Sequence, residues 1–153
     1  MIVASVVQDR RLLTLDTPLG ENALLLRSFS MTEEISSLFT MQMELVSEGK
    51  RIPLDAILGK SVGVTLEPEE GTRFFHGIVS RFGYSGHDDR FHYYFAEAVP
   101  WTWLLTRSAD CRVFQNMTIP QIIEKVFQDR GFTDFKPLLK RTYTKHDYCV
   151  QYR

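Results

Sequence analysis

Cysteine is nearly absent from this sequence. There are two residues in 153, Cys111 and Cys149. They are not spaced as C-x-x-C, so neither a disulfide scaffold nor a redox pair is supported, and two buried reduced thiols are expected. An excess of charge of one sign is lacking too. Lys and Arg number 18 against 19 Asp and Glu, a net charge of −1. A nucleic-acid binder needs a basic stripe that displaces counterions from phosphates. The densest basic stretch, Lys136 to Lys145, is flanked by Asp134 and Asp147, so a solvated face is expected there and no nucleic-acid partner. No run of about 18 apolar residues occurs, which excludes a membrane-spanning helix. The N-terminal stretch Met1 to Val7 is mildly apolar, but no basic segment precedes it and Gln8-Asp9-Arg10-Arg11 ends it early. It is not a secretory signal peptide. The chain is expected to be made in the cytoplasm and to leave only through a dedicated machine. Proline and glycine are not enriched, and no segment is of low complexity.

What is present is apolar material enough for a core: 44% hydrophobic residues, of which the aromatics make up 12% of the chain. The length suits one domain, or one barrel and part of a second. The first two-thirds read as antiparallel β-structure. Leu12 to Leu15 is a short apolar run stopped by the turn residues Asp16 to Gly20. Leu24 to Met31 suits a second strand. Phe39 to Val46 is the clearest: Phe39, Met41, Met43 and Leu45 fall on one face, Thr40, Gln42 and Glu44 on the other. That period of two, with one wet face, marks an antiparallel strand over a core. Ser47 to Lys50 breaks it. Pro53 to Gly59 predicts one helical turn, with Leu54, Ile57 and Leu58 at i, i+3, i+4. Val62, Val64 and Leu66 alternate, Pro68 to Gly71 reads as a turn, and Phe74 to Phe82 is the next strand. Gly83 to Asp89 predicts a polar loop. Phe91 to Val99 returns as a strand with Phe91, Tyr93 and Phe95 on one face. Six strands with little helix point to a small barrel or a sandwich.

The character changes after Pro100. Trp101 to Leu105 is apolar and aromatic. A helix follows, capped by Thr118 with Gln121 at capping-box spacing and with Pro120 in its first turn. Ile119, Ile122, Ile123, Val126 and Phe127 form its apolar stripe, and Gly131 ends it. Tyr148 to Arg153 alternates weakly, and no stop signal follows. The expectation is a fragment that ends inside an element.

Machinery for a reaction is not found. Ile57-Leu58-Gly59-Lys60-Ser61 ends like a phosphate-binding loop, but Leu54 stands where the motif needs its first glycine. His76, His87 and His92 lie close in sequence with Asp88 and Asp89. A small metallo-hydrolase on His76, His87 and Asp88 is conceivable, since imidazole and carboxylate suit zinc or manganese. No H-x-x-x-H spacing supports it, and His87 falls in the predicted loop. His146-Asp147 suggests a dyad, but neighbours in a strand point apart and no nucleophile elbow occurs; exposed loop residues are expected. Trp101 and Trp103, two apart, would share one side of a strand, and core packing is expected over a ligand platform. An oligonucleotide- or sugar-binding barrel would use Tyr93, Tyr94 and these tryptophans, yet stacking binders normally add a basic groove. No catalytic residue, metal ligand or cofactor is therefore assigned, and the chain is not expected to be an enzyme.

The run from Val99 to Asn116, VPWTWLLTRSADCRVFQN, is not explained by composition. It resembles the signature region of the VgrG proteins, the spikes of the bacterial type VI secretion machine. So do TIPQIIEKVF from Thr118, YCVQYR from Tyr148, LDTPLG from Leu15, LGK from Leu58 and FFHGIV from Phe74. The resemblance runs in register from about residue 11 to the end, and its motifs are specific as a set. It implies an N-terminal region similar to the hub protein of contractile phage tails. That means a hub-type antiparallel β-barrel at residues 1–105, then a helical segment and the start of a second barrel at 106–153. It implies a structural component that trimerises with other VgrG subunits when full length. Such a component stacks on the hexameric tube protein Hcp, meets effectors or baseplate proteins, and is exported by the contractile machine without a signal peptide. VgrG proteins continue past this point with an OB-like domain and a β-helix needle, so the resemblance implies a truncated member, monomeric or weakly associated by itself. A phage or prophage tail hub is the alternative on the same fold.

Overall fold

The computed structural model describes residues 7, 8, 11–49 and 51–152. Most of the apolar N-terminal stretch read above lies outside the described residues. The strands are β1 (Leu13–Asp16), β2 (Leu25–Thr32), β3 (Thr40–Glu48), β4 (Ser61–Leu66), β5 (Arg73–His87), β6 (Phe91–Val99), β7 (Cys111–Met117) and β8 (His146–Tyr152); helix α1 is Ile119–Asp129. The chain divides into two units, Met1–Trp103 and Leu104–Arg153.

In the first unit β3 behaves as its pattern dictates. Met41, Met43 and Leu45 are buried and Phe39 packs against them, while Gln42 and Glu44 are exposed. The six strands pair antiparallel in the order β1-β4-β5-β6-β3-β2. The end strands β1 and β2 come side by side, so the sheet is a nearly closed barrel. That resolves the choice between barrel and sandwich, because closure leaves few free strand edges. Gln8 helps at the seam. Its side-chain amide donates to the Leu15 carbonyl (3.0 Å) and accepts from the Leu15 N–H (2.6 Å), standing in for a neighbouring strand. Arg11 Nη1 donates to the Leu26 carbonyl at 3.2 Å. The barrel is filled by Leu15, Leu24, Leu26, Ile57, Val62, Val64, Val79, Tyr94, Ala96 and Ala98 with the β3 residues.

Two expectations change here. The predicted loop Gly83–Asp89 is mostly strand, because β5 runs to His87. Bulges at Val79/Arg81 and Tyr84/Gly86 coil this long strand. Gly83 is needed because the Phe95 ring lies where a β-carbon would stand, 2.2 Å from that position. The real turn is tighter: Asp88 Oδ1 accepts the N–H of Arg90 and of Phe91, at 2.8 and 2.7 Å. The predicted helical turn at Pro53–Gly59 is a short 3-10 turn, Leu54–Ala56. Its tighter winding buries only Ile57 of the expected stripe and leaves Leu54 and Leu58 exposed. On β6 Phe91, Tyr93 and Phe95 share a face as expected; the inward face is Tyr94, Ala96 and Ala98, and Phe95 points outward.

The second unit carries the expected helix. Thr118 Oγ1 accepts from the Gln121 N–H and Gln121 Oε1 accepts from the Thr118 N–H, the reciprocal capping box. At the other end the Phe132 N–H reaches the Phe127 carbonyl and the Gly131 N–H the Gln128 carbonyl, with Gly131 at φ +80°. This is a Schellman close. β7 and β8 form a two-stranded antiparallel sheet with Phe114 opposite Cys149 and Val113 opposite Val150. Residues 133–145, which hold the basic stretch, have no regular structure and are mostly exposed.

Candidate functional site

Among the described residues the motifs noted in the sequence separate into those the fold dissolves and those it assembles. The phosphate-loop look-alike dissolves. The Gly59 N–H donates to the Val79 carbonyl at 2.8 Å, and the Lys60 carbonyl accepts from the Val79 N–H at 2.9 Å. These groups extend the sheet and cradle nothing. Ser61 Oγ is bonded to His76 Nε2 at 2.6 Å across the β4–β5 pair, which holds His76 apart from the other histidines on the barrel's outer face.

Both cysteines are free, but neither is buried: Cys111 is exposed and Cys149 half-buried. The strands β7 and β8 put alternate residues on the open side of a small sheet, which burial statistics for cysteine do not anticipate. His146 and Asp147 are exposed as expected but begin β8 rather than occupy a loop. Trp101 and Trp103 lie in a 3-10 turn, Trp101–Arg107. Both are half-buried rather than core. The stacking-barrel alternative loses Tyr94 from its platform. Tyr94 is 2% exposed, with its hydroxyl accepting from the Ile52 N–H at 2.8 Å and its ring stacked on Phe82.

The far end of the β5–β6 hairpin is where polar side chains converge. His87 stands opposite His92, their ring centroids 5.8 Å apart. The Tyr84 hydroxyl lies 3.0 Å from His87 Nδ1 and 3.3 Å from His92 Nδ1. The Arg51 guanidinium sits 4.2 Å from the centre of the Tyr84 ring. Beside them Tyr93 donates its hydroxyl hydrogen to Asp88 Oδ2. That bond, with the Phe91 and Arg90 N–H donors, holds the Asp88 carboxyl at about 2, below its ordinary 3.8. The same hydrogen bond raises the Tyr93 phenol. Sequence reasoning gathered the histidines and missed Tyr84, because the bulge that aims it is not visible in the residue pattern.

Two surfaces could meet partners. On the barrel exterior a groove of about 420 Å³ is lined by Ser28, Ser30, Gln42, Glu44, Arg81 and Glu97, with Arg81 and Glu97 paired at 3.7 Å. In the second unit one face of the β7–β8 sheet carries Val113, Tyr148, Val150 and Tyr152, each more than half exposed. Contiguous exposed apolar surface of that kind marks a contact surface. No helix among the described residues is long and apolar enough to cross a membrane.

Comparison with known proteins gives this arrangement a context. The solved structure of an Escherichia coli protein, described as a component of the type VI secretion system with structural similarity to the T4 bacteriophage tail proteins gp27 and gp5, matches the fold. The TM-score is 0.65 at 24% identity, over 84% of this chain and 38% of that one. The Pseudomonas aeruginosa type VI secretion system spike protein VgrG1c is 46% identical over 95% of this chain, and VgrG1a of the same organism is 46% identical over 96%. The chain spans about a fifth of the length of these curated relatives (20% and 23%). The family model for the phage tail baseplate hub (GPD) matches residues 32–153. The chain belongs to the phage tail baseplate hub family.

Proposed function

We propose that this chain is the hub module of a type VI secretion spike, a structural part that stacks on an Hcp-type hexameric tube and helps deliver effectors. The observation that carries the reading is the 46% identity to the VgrG1c spike protein across 95% of the chain. Residues 1–105 serve as the first hub barrel. Residues 106–153 serve as the start of a second, whose further strands would cover the exposed Val113, Tyr148, Val150 and Tyr152 face. The barrel's shape supports a scaffold role, and its near-neutral charge suits stacking by shape and local polar pairs. No catalysis, cofactor or nucleic acid enters this reading. The protein waits in the bacterial cytoplasm and is exported by the contractile machine. Full-length subunits form a homotrimer, while these 153 residues alone are monomeric or weakly associated.

The test is affinity capture of the spike protein that carries this module, from a bacterium with an active type VI system. Recovery of Hcp-type tube, baseplate or effector proteins is expected, and recovery of none of them overturns the reading. A second reading is kept because the matching family is defined on phage tail baseplate hubs: a phage or prophage tail hub. Sheath and capsid genes beside this one, in place of secretion genes, would favour it. Light scattering on the 153-residue chain checks its association, and a tight trimer at micromolar concentration contradicts the proposed weak self-association.

A further inference from the structure

We propose that Tyr84, His87 and His92 form a site for a borderline divalent transition ion of the zinc, nickel or copper class at the end of the β5–β6 hairpin. This goes beyond the hub role and does not depend on it.

Two donor–donor distances match those of a tetrahedral coordination shell. In tetrahedral zinc sites the metal–nitrogen and metal–oxygen bonds are about 2.0–2.1 Å, so neighbouring donor atoms stand roughly 3.3 Å apart. The Tyr84 oxygen lies 3.0 and 3.3 Å from the two Nδ1 atoms, which are two edges of such a tetrahedron. Two imidazoles on one ion place their ring centres roughly 5–6 Å apart by the same bond lengths, and these are 5.8 Å apart. Hydrogen bonding alone serves this trio poorly. The phenol has one hydrogen to give, so only one Nδ1 can accept it and the other must donate. An ion would engage all three lone pairs at once.

The surroundings fit the charge. Asp88, next to His87 in the chain, places a carboxylate beside the site, which favours a cation nearby. On binding, the phenol proton leaves to solvent and a metal–oxygen bond replaces the O–H bond, with no change of oxidation state. His87 is exposed, so water can complete the shell. Imidazole and phenolate donors select zinc, nickel or copper over calcium and magnesium. His76 is not part of the site, because Ser61 holds it on the β4–β5 pair.

The experiment titrates the 153-residue chain with zinc chloride against a chelating indicator. Cobalt chloride serves as a second probe, since tetrahedral cobalt gives a visible band. A single ion per chain is expected, with proton release and a tyrosinate difference band in the ultraviolet. His87→Gln and His92→Gln should each weaken binding more than about tenfold, since even outer-shell changes cost 10- to 100-fold. Tyr84→Phe should remove the tyrosinate band, and His76→Gln should change nothing. His87→Gln is an exposed substitution at a hairpin end, so its fold is readily confirmed by circular dichroism. Zinc-induced shifts of both imidazole Nδ1 resonances in the unsubstituted protein give an independent readout. Absence of stoichiometric zinc binding overturns the proposal, as does binding that survives both histidine substitutions.

Discussion

In the barrel, Met41, Ile57 and Ala98 are wholly shielded from solvent. In residues 104–153, Val113, Tyr148, Val150 and Tyr152 on one small sheet are each more than half exposed. The two units use different physics. A nearly closed six-stranded sheet shields an apolar interior and leaves little edge to satisfy. Among the described residues the two-stranded sheet with one helix buries Phe114, Pro120 and Ile122 on one side and none on the sheet's other face. Around them α1 is capped at both ends, and Arg112 bonds Asp110 at 2.7 Å and Asp129 at 2.9 Å. A two-stranded sheet is marginal without a third layer, so the barrel should be the stable unit and the second the one that opens first.

The largest expected effect tests that contrast directly. Leu45 is 2% exposed in the middle of the barrel, and Leu45→Ala should cost about 2–5 kcal/mol through lost burial and a residual cavity. Ile122 is buried at the edge of an open hollow lined by Val126 and Phe127. Its truncation should cost nearer the lower end, about 2 kcal/mol, because the site can collapse or admit water. Urea denaturation of the two variants measures both. Equal losses would break the comparison.

The legible parts of the fold are those set by local pattern. Phe39 to Leu45 alternate strictly, and one face had to be core. Thr118 and Gln121 satisfy each other within a single turn, so the helix start could be placed to the residue. The missed parts depend on partners distant in sequence. β7 went unrecognised because its partner among the described residues, β8, lies about 30 residues on, and neither strand has a clean apolar alternation. β5 was cut short because Gly83 and Gly86 read as loop residues, whereas Gly83 is there to admit the Phe95 ring. The Tyr84–His87–His92 trio needs a strand bulge to form, and a bulge has no reliable signature in one sequence. The hub identity was legible through its motifs. Composition and periodicity alone reached only a small antiparallel barrel or sandwich with a helix.

A smaller effect is expected where backbone, not side chain, is crowded. A β-carbon on Gly77 would stand 2.6 Å from the Met41 methyl and 3.0 Å from the Val99 carbonyl. Met41 can turn aside, but the carbonyl belongs to the barrel wall. Gly77→Ala should therefore cost about 1–3 kcal/mol by overpacking, read as a lower urea midpoint with unchanged slope. In the second unit Thr118→Ala removes the acceptor for the Gln121 N–H and should cost about 1 kcal/mol. Amide exchange should then quicken in α1 and the β7–β8 sheet and stay unchanged in the barrel. Faster exchange in β3 would show that the two units unfold as one.

The smallest effect separates the units by the kind of force that holds a carboxylate. Asp88 in the barrel is kept at about 2 mainly by the Tyr93 hydroxyl and two backbone N–H groups, donors without charge. Asp110 in the second unit is lowered first by its hydrogen bond to the Arg112 guanidinium, with Arg130 adding attraction. Both folded values lie below the unfolded ones. Each group therefore stabilises the fold fully above the ordinary carboxylate value of 3.8, and loses that contribution as the pH falls through its folded value. For Asp88 the window runs from 3.8 down to about 2. The stability difference between the natural chain and Asp88→Asn should shrink across that window and vanish below it. Salt distinguishes the two groups. Ions screen an exposed guanidinium–carboxylate pair far more than a bond from a neutral donor. Carboxyl carbon resonances followed through an acid titration, at low and at high salt, should show Asp110 moving back toward its ordinary value while Asp88 holds. If both move together, the Asp88 turn is held by long-range charge, and its hydrogen bonds are not the cause.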